Sequence, residues 1–276
     1  MNTDFRLFLV MLLVLMMPVT LLAQSTDVHP ILTDKFHLGL GFFYPDKTLK
    51  FRVDGTVPQP EIDFEESLRF DNTEETGSLI FGWRFGEKWQ VQGQYWEVSD
   101  GGGAILDEDI EWEDLVFKKG TFANAGVGLD VARIFFGRRF SSGPNYEFGL
   151  GAGVHWLEIH AFLEGQILTS EENTEFERAA VEADFPMPNI GAWYHYSWSP
   201  RWALTARADW LSASVGDYSG GMWNGLIGVQ WAPFRHFGFA LSYNYFSLDG
   251  DVEKSDWRGG VGLKQGGPFL GLTTTW

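Results

Sequence analysis

The chain has 276 residues, a net charge of −17, 33 glycines, 13 tryptophans and no cysteine. The missing cysteines exclude a disulfide framework, a thiol nucleophile, a thiolate metal site and a lipid anchor on cysteine. The negative charge argues against nucleic acid, whose binding needs cationic surface, and no long stretch holds a 3.6-residue period.

Taken in chain order, the first element is a targeting segment. Arg6 precedes an apolar run from Leu7 to Leu22, broken by Pro18, and Ala23-Gln24 offers a small-residue cleavage point. This predicts a signal peptide over 1–23 and a mature domain over 24–276. The apolar run is short for a spanning helix, which needs about 20 residues.

Beyond it, period two recurs. Strands are expected at 36–54, 75–86, 88–98, 123–140, 145–164, 176–198, 200–216, 219–233, 236–249 and 254–276. In 79–95, Leu79, Phe81, Trp83 and Phe85 lead through a turn to Trp89, Val91, Gly93 and Tyr95, opposite Arg84, Gln90, Gln92 and Gln94. In 189–198, Ile190, Ala192, Tyr194, Tyr196 and Trp198 alternate with Asn189, Gly191, Trp193, His195 and Ser197. In 236–246, Phe237, Phe239, Leu241, Tyr243 and Tyr245 alternate with Gly238, Ala240, Ser242 and Asn244. One face is apolar and aromatic, the other small or polar. A soluble sandwich would carry Lys and Glu on its outer face; a face of Gly, Ala, Ser, Asn and Gln fits an enclosed lumen instead. The expected class is all-β, a transmembrane antiparallel up-and-down β-barrel of about ten strands, with eight or twelve as alternatives. Twelve would follow from turns at Tyr44-Pro45-Asp46-Lys47 and Lys264-Gln265-Gly266-Gly267.

The connections fall into two kinds. Short ones occur at Gly86-Glu87-Lys88, Ser141-Ser142-Gly143-Pro144, Ser199-Pro200-Arg201 and Pro233-Phe234-Arg235. They are flanked by Phe85 and Trp89, Phe140 and Tyr146, Trp198 and Trp202, and Trp231 and Phe237. With Trp276 these form an expected aromatic girdle at the headgroup level. Short turns belong on the periplasmic side, so both termini are expected there. The longer connections, 55–75, 99–122, 165–178 and 247–256, are acidic and would face outward.

These features resemble the small outer-membrane β-barrels of Gram-negative bacteria, of the OmpW or OmpA membrane-domain sort. The resemblance is architectural and spans the mature chain. It rests on the signal peptide, the alternating strands, the aromatic-lined turns and the terminal stripe Leu270, Leu272, Thr274, Trp276. It implies a bacterial outer-membrane location, contact with lipid and lipopolysaccharide, and presentation of the last strand to the barrel-insertion machinery. The roles it implies run from passage of small apolar molecules to purely structural ones, with no cofactor.

Candidate chemistry lies first in the lumen. Arg84, Asp130, His155, His195, Arg207, Asp209, Arg258 and Lys264 are assigned to the small-or-polar face, where an ion needs a partner. They could form a selective pore or a static plug, since eight to ten strands leave an interior roughly filled by side chains. Arg207 and Asp209 share a face and form the clearest pair. A hydrolase would need a nucleophile and base in hydrogen-bond reach. His155 and His160 with Glu158, and Ser212, Ser214 and Asp217, have no spacing that demands it. Divalent cations could bind Asp107, Asp109 and Glu111, or Asp249, Asp251 and Glu253, whose oxygens suit hard ions without EF-hand spacing. The glycine runs Gly126-Val127-Gly128 and Gly149-Leu150-Gly151-Ala152-Gly153 lie within strands and precede no helix, unlike a nucleotide loop. The expected function is a non-enzymatic barrel, structural or a narrow conduit. The alternatives are a barrel hydrolase acting on lipid or peptide, and an adhesion or cation-binding barrel using the acidic loops.

Overall fold

The structure, a computed structural model, describes residues 28–54, 62–63, 76–106, 109–112, 115–170, 173–215, 218–253 and 258–276. A short 3-10 turn at Pro30–Leu32 precedes the strands. These are β1 (Phe36–Phe43), β2 (Asp46–Asp54), β3 (Ile62–Asp63), β4 (Thr76–Phe85), β5 (Trp89–Ile105), β6 (Ile110–Trp112), β7 (Leu115–Phe117), β8 (Phe122–Ser142), β9 (Tyr146–Ser170), β10 (Asn173–Ser199), β11 (Trp202–Val215), β12 (Tyr218–Trp231), β13 (Phe237–Glu253) and β14 (Arg258–Thr275). The described pairings are antiparallel, in the order β1-β4-β5-β8-β9-β10-β11-β12-β13-β14, and β1 pairs with both β4 and β14, so the sheet closes. Closure gives the backbone groups of a spanning wall partners without water.

The staves number ten among the described residues, because β1 and β2 are one strand. Phe43 pairs with Phe269 and Asp46 with Gly266, which keeps a single register across Tyr44-Pro45. The Tyr44 N–H donates to the Pro268 carbonyl at 2.9 Å. Pro45, lacking an N–H, interrupts the bonding without turning the chain. β14 likewise runs unbroken through Lys264–Gly267. The twelve-strand alternative therefore fails.

The connections extend differently from expectation. β5 reaches Ile105 and β9 with β10 reaches Ser170 and Asn173, so much of the acidic 99–122 and 165–178 stretches is strand. β6 and β7 form a small hairpin that touches β9 through Phe117↔Ile167. The expected signal peptide and the greater part of 55–75 lie outside the described residues.

The barrel has a turn end and a loop end. At the turn end, Gly86 takes a positive φ of 57° in the three-residue connection between β4 and β5, a backbone that favours glycine. The outer wall there is a run of stacked rings. Trp198, Trp202, Trp231 and Phe239 follow one another at 6.3, 5.8 and 5.6 Å. Trp276 stacks on Phe36 at 5.6 Å, and Phe36 on Trp83 at 6.3 Å. Phe85 and Trp89 both pack on Phe136. Phe140 and Phe237 stand exposed, and the Tyr146 hydroxyl meets Ser141 at 3.2 Å.

Candidate functional site

The lumen is built in layers, read along the inward faces from the turn end. The first layer is the segment before β1. Its 3-10 turn is capped by His29, whose Nδ1 accepts from the Ile31 N–H at 3.2 Å. The His29 N–H donates to Ser197 Oγ at 2.9 Å, and Arg84 donates to the Leu32 carbonyl at 2.7 Å. Asp34 receives both arms of Arg235 at 2.6 and 2.7 Å. Burial pushes the His29 imidazole down to about 4, against the raising effect of Asp34. The Asp34 pairing raises Arg235. A vestibule of about 440 Å³ opens beside this plug, lined by Lys35, Lys88, Arg139 and Glu147 among others.

The second layer centres on Glu147. It accepts from Arg84 at 2.7 Å and from the Trp193 indole at 2.9 Å, with Arg139 at 3.5 Å. Trp193 fits because its neighbours across the sheet are glycines; a Cβ on Gly149 would lie 2.1 Å from the indole. His195 meets the Thr205 hydroxyl at 2.9 Å. A cavity of about 100 Å³ adjoins this layer, lined in part by His37, Gln90, His195 and Gln230. His37 Nε2, Gln90 Nε2 and Gln230 Oε1 lack protein partners.

The third layer is a buried ion network, with Arg207 at its edge 9% exposed. Arg133 binds Asp209 with both arms, Nε to Oδ2 at 2.6 Å and a terminal nitrogen to Oδ1 at 2.9 Å. Both side chains are 0% exposed. Arg207 Nε stands 3.7 Å from Asp209 and a terminal nitrogen donates to Gln94. Arg133 also reaches Gln92 at 3.3 Å. His155 lies between two amides: Nδ1 is 3.1 Å from Asn189 Oδ1, and Nε2 is 2.8 Å from Asn224 Nδ2. An amide oxygen accepts and an amide nitrogen donates, so His155 is neutral with its proton on Nδ1. Gly191 lets the network close, since a Cβ there would lie 2.2 Å from Asp209 Oδ1.

The fourth layer is apolar. Trp96, Val98, Leu129, Val131, Leu157, Ile159, Met222, Phe246, Leu248 and Leu263 form one buried cluster inside the wall, with Met187 and Leu211 packed on it. This layer misleads any assignment of faces by polarity, and two candidate residues are corrected by it. Asp130 points outward, since Leu129 and Val131 hold the inward positions of β8; it accepts from the Tyr95 hydroxyl at 3.0 Å. Lys264 is exposed on the outer face, with Leu263 and Gln265 inside. Arg258 pairs with Glu253 in the ladder, and its side chain lies outside the described residues. Arg84, His155, His195, Arg207 and Asp209 all face inward.

Arg133, Glu147, Asn189 and Asn224 complete the network without having been singled out as candidates. Asn189 was legible on the inner set of its strand. Arg133 was hidden because the inner face of β8 is mostly apolar.

The acidic candidates are scattered. Asp109 is exposed, accepts from the Lys119 N–H and pairs with Lys118 at 2.7 Å, which holds its carboxyl below the usual range. Asp249 is exposed at the outer face of β13, with Asp251 two residues on. Asp107 and the side chains of Glu111 and Glu253 lie outside the described residues. Among the described residues, no three His, Asp or Glu side chains converge as a metal ion would require. On the outer wall, Glu97, Asp130, Glu158 and Asp184 stand in one register row across β5, β8, β9 and β10.

Closed topology, an exposed aromatic exterior and a packed interior define an antiparallel β-barrel of the outer-membrane type. Comparison with the solved structure of one outer-membrane protein gives the same fold. The outer membrane protease OmpT of Escherichia coli matches with a TM-score of 0.57 at 12% identity, covering 92% of this chain and 99% of that one. Ail of Yersinia pestis matches with a TM-score of 0.28 at 12% identity, covering 86% and 98%. The toluene transporter TodX of Pseudomonas putida matches with a TM-score of 0.34 at 8% identity, covering 90% and 92%. No protein-family profile and no curated protein sequence matches the chain.

Proposed function

We propose that this chain is a non-enzymatic outer-membrane barrel whose lumen is sealed. One observation carries the reading: the bidentate Arg133–Asp209 pair, fully buried between two side-chain layers. A hydrated ion crossing the lumen would have to break that pair and part the apolar cluster beyond it. Breaking such a pair leaves an uncompensated buried charge, which costs about 3–5 kcal/mol. The short turns and their stacked rings support a periplasmic turn end, with the acidic loops outside and lipid and lipopolysaccharide around the wall.

A hydrolase reading gains little from the geometry. OmpT is a protease by its name, and a histidine beside a carboxylate is the feature to seek. His155 and Asp209 lie 3.9 Å apart, but both are 0% exposed and held by amides and arginines, so no substrate reaches them.

Recording from purified protein in planar lipid bilayers tests the sealed lumen. The expected trace for the native chain is silent. Sustained steps from the native chain would overturn the reading.

A further inference from the structure

The barrel wall has a stretch where two neighbouring strands run side by side unpaired. The β10–β11 ladder starts at Ile190↔Trp210 and continues to the turn. Both strands extend past that point, β10 as far as Asn173 and β11 as far as Val215. In the same region β10 stays paired with β9, and β11 with β12. Among the described residues, no β10–β11 ladder pair follows beyond Ile190↔Trp210.

Two prolines account for it. The Ser197 N–H points to Asn145 on the β9 side, and the β9–β10 register holds without a shift from Thr174 to Tyr196. Backbone groups alternate sides along a strand, so those of even-numbered residues of β10 face β11. On β11, the Arg201 carbonyl points to Ala232 on the β12 side, so the even residues there face β10. Extending the Ile190↔Trp210 register would oppose Pro188 to Ser212 and Pro186 to Ser214. These would be the next two hydrogen-bonded pairs, and at each the proline lacks the N–H.

What borders the seam is apolar inside, and outside it is apolar but for the hydroxyls of Ser212 and Ser214. Inside, Met187 and Leu211 pack against the buried cluster of the fourth layer. Outside, Pro186 and Pro188 are exposed, and Val154, Trp156, Ile190, Trp210 and Trp223 form the surrounding surface. Exposed tryptophans beside aliphatic residues mark the upper edge of a lipid-facing band. The carboxylates of Glu158 and Asp184 stand one row beyond, where a headgroup region would begin.

We propose that the open seam between β10 and β11 is a lateral port through which an acyl chain of a surrounding lipid enters the apolar layer of the lumen. The proposal rests on the membrane reading of the barrel. Entry displaces Met187, an unbranched side chain that adapts easily, and leaves the wall's remaining hydrogen bonds in place. Asn189, bonded to His155 at the base of the seam, stops the chain at the polar network.

The test uses purified full-length protein in vesicles of phospholipid carrying a photoreactive group near the end of one acyl chain. Irradiation followed by peptide mass spectrometry maps the adducts. Adducts are expected on Met187, Leu211 and Met222 inside, and on outward residues such as Ile134 and Trp223. The chain has no cysteine, so a Pro188→Cys/Ser212→Cys pair locks the seam with one disulfide. Locking should abolish the inner adducts and spare the outer ones, and reductant should restore them. A Pro186→Val/Pro188→Val variant, which returns both N–H groups, should lose the inner adducts without any cross-link. The port is overturned if inner adducts are missing in the native chain or survive the lock while outer ones form. Loss of the outer adducts as well would overturn the membrane reading instead.

Discussion

Asp209 is fully buried and balances two arginines. Its contacts to Arg133 and Arg207 make it the residue on which the third lumen layer depends. Asp209→Asn keeps the shape and removes the charge, leaving both guanidinium groups without a counter-ion. The expected loss is about 3–5 kcal/mol of folding stability, read as a lower urea midpoint for barrel unfolding in lipid vesicles. An unchanged midpoint would mean that the pair contributes nothing net. Asp209 and Arg207 were legible in the sequence because β11 alternates cleanly, with Trp202, Leu204 and Trp210 outside. Arg133 and Asp130 were not, because alanines, valines, a leucine and a phenylalanine line the inner face of β8. Alternation reports a face only when the two faces differ in polarity.

At the scale of elements, the segment before β1 acts as a cap on the turn end of the lumen. Its 3-10 turn needs His29 Nδ1 as an acceptor, which requires a neutral ring. The folded-state value of about 4 lies below the ordinary 6.5. The unfolded or undocked histidine therefore binds a proton first as pH falls. The stabilisation is full above pH 6.5 and is lost as pH drops toward 4. Amide exchange over 28–34, corrected for intrinsic rate, should rise relative to the barrel strands between pH 7 and pH 4.5. A His29→Asn variant, which keeps an acceptor without a titrating ring, should show no such rise. The 36–54 strand was expected as one unit with a turn at Tyr44–Lys47 as the alternative, and the continuous register across Pro45 decides for one unit. The extra length of β5, β9 and β10 was not legible, since acidic residues in a strand above the apolar band look like those of a loop.

For the whole molecule, closure joins β1 to β14 and the aromatic exterior runs across that joint. Trp276 exchanges backbone hydrogen bonds with Phe36 at 2.9 and 3.1 Å and stacks on its ring. Trp276→Ala removes the ring while keeping the backbone bonds. The stacked pair is worth about 0.5–1.5 kcal/mol beyond area, so the unfolding midpoint in vesicles should fall by a comparable amount. Heat-modified mobility on gels should persist, because the ladder from His37↔Thr275 to Phe43↔Phe269 closes the sheet without that ring. A variant that no longer folds would contradict the assignment of closure to the backbone ladder.

Sequence alone determined the class and the outward aromatic face, and it narrowed the staves to about ten, with eight or twelve left open. Each follows from period-two chemistry and from short turns, which are local properties of consecutive residues. The inward layering was decided only by tertiary structure. Which arginine meets Asp209, that apolar residues fill the loop half of the lumen, and that β10 and β11 part at Pro186 and Pro188 all depend on register between strands distant in the chain. Register is set by closing the whole sheet, and no single strand carries it.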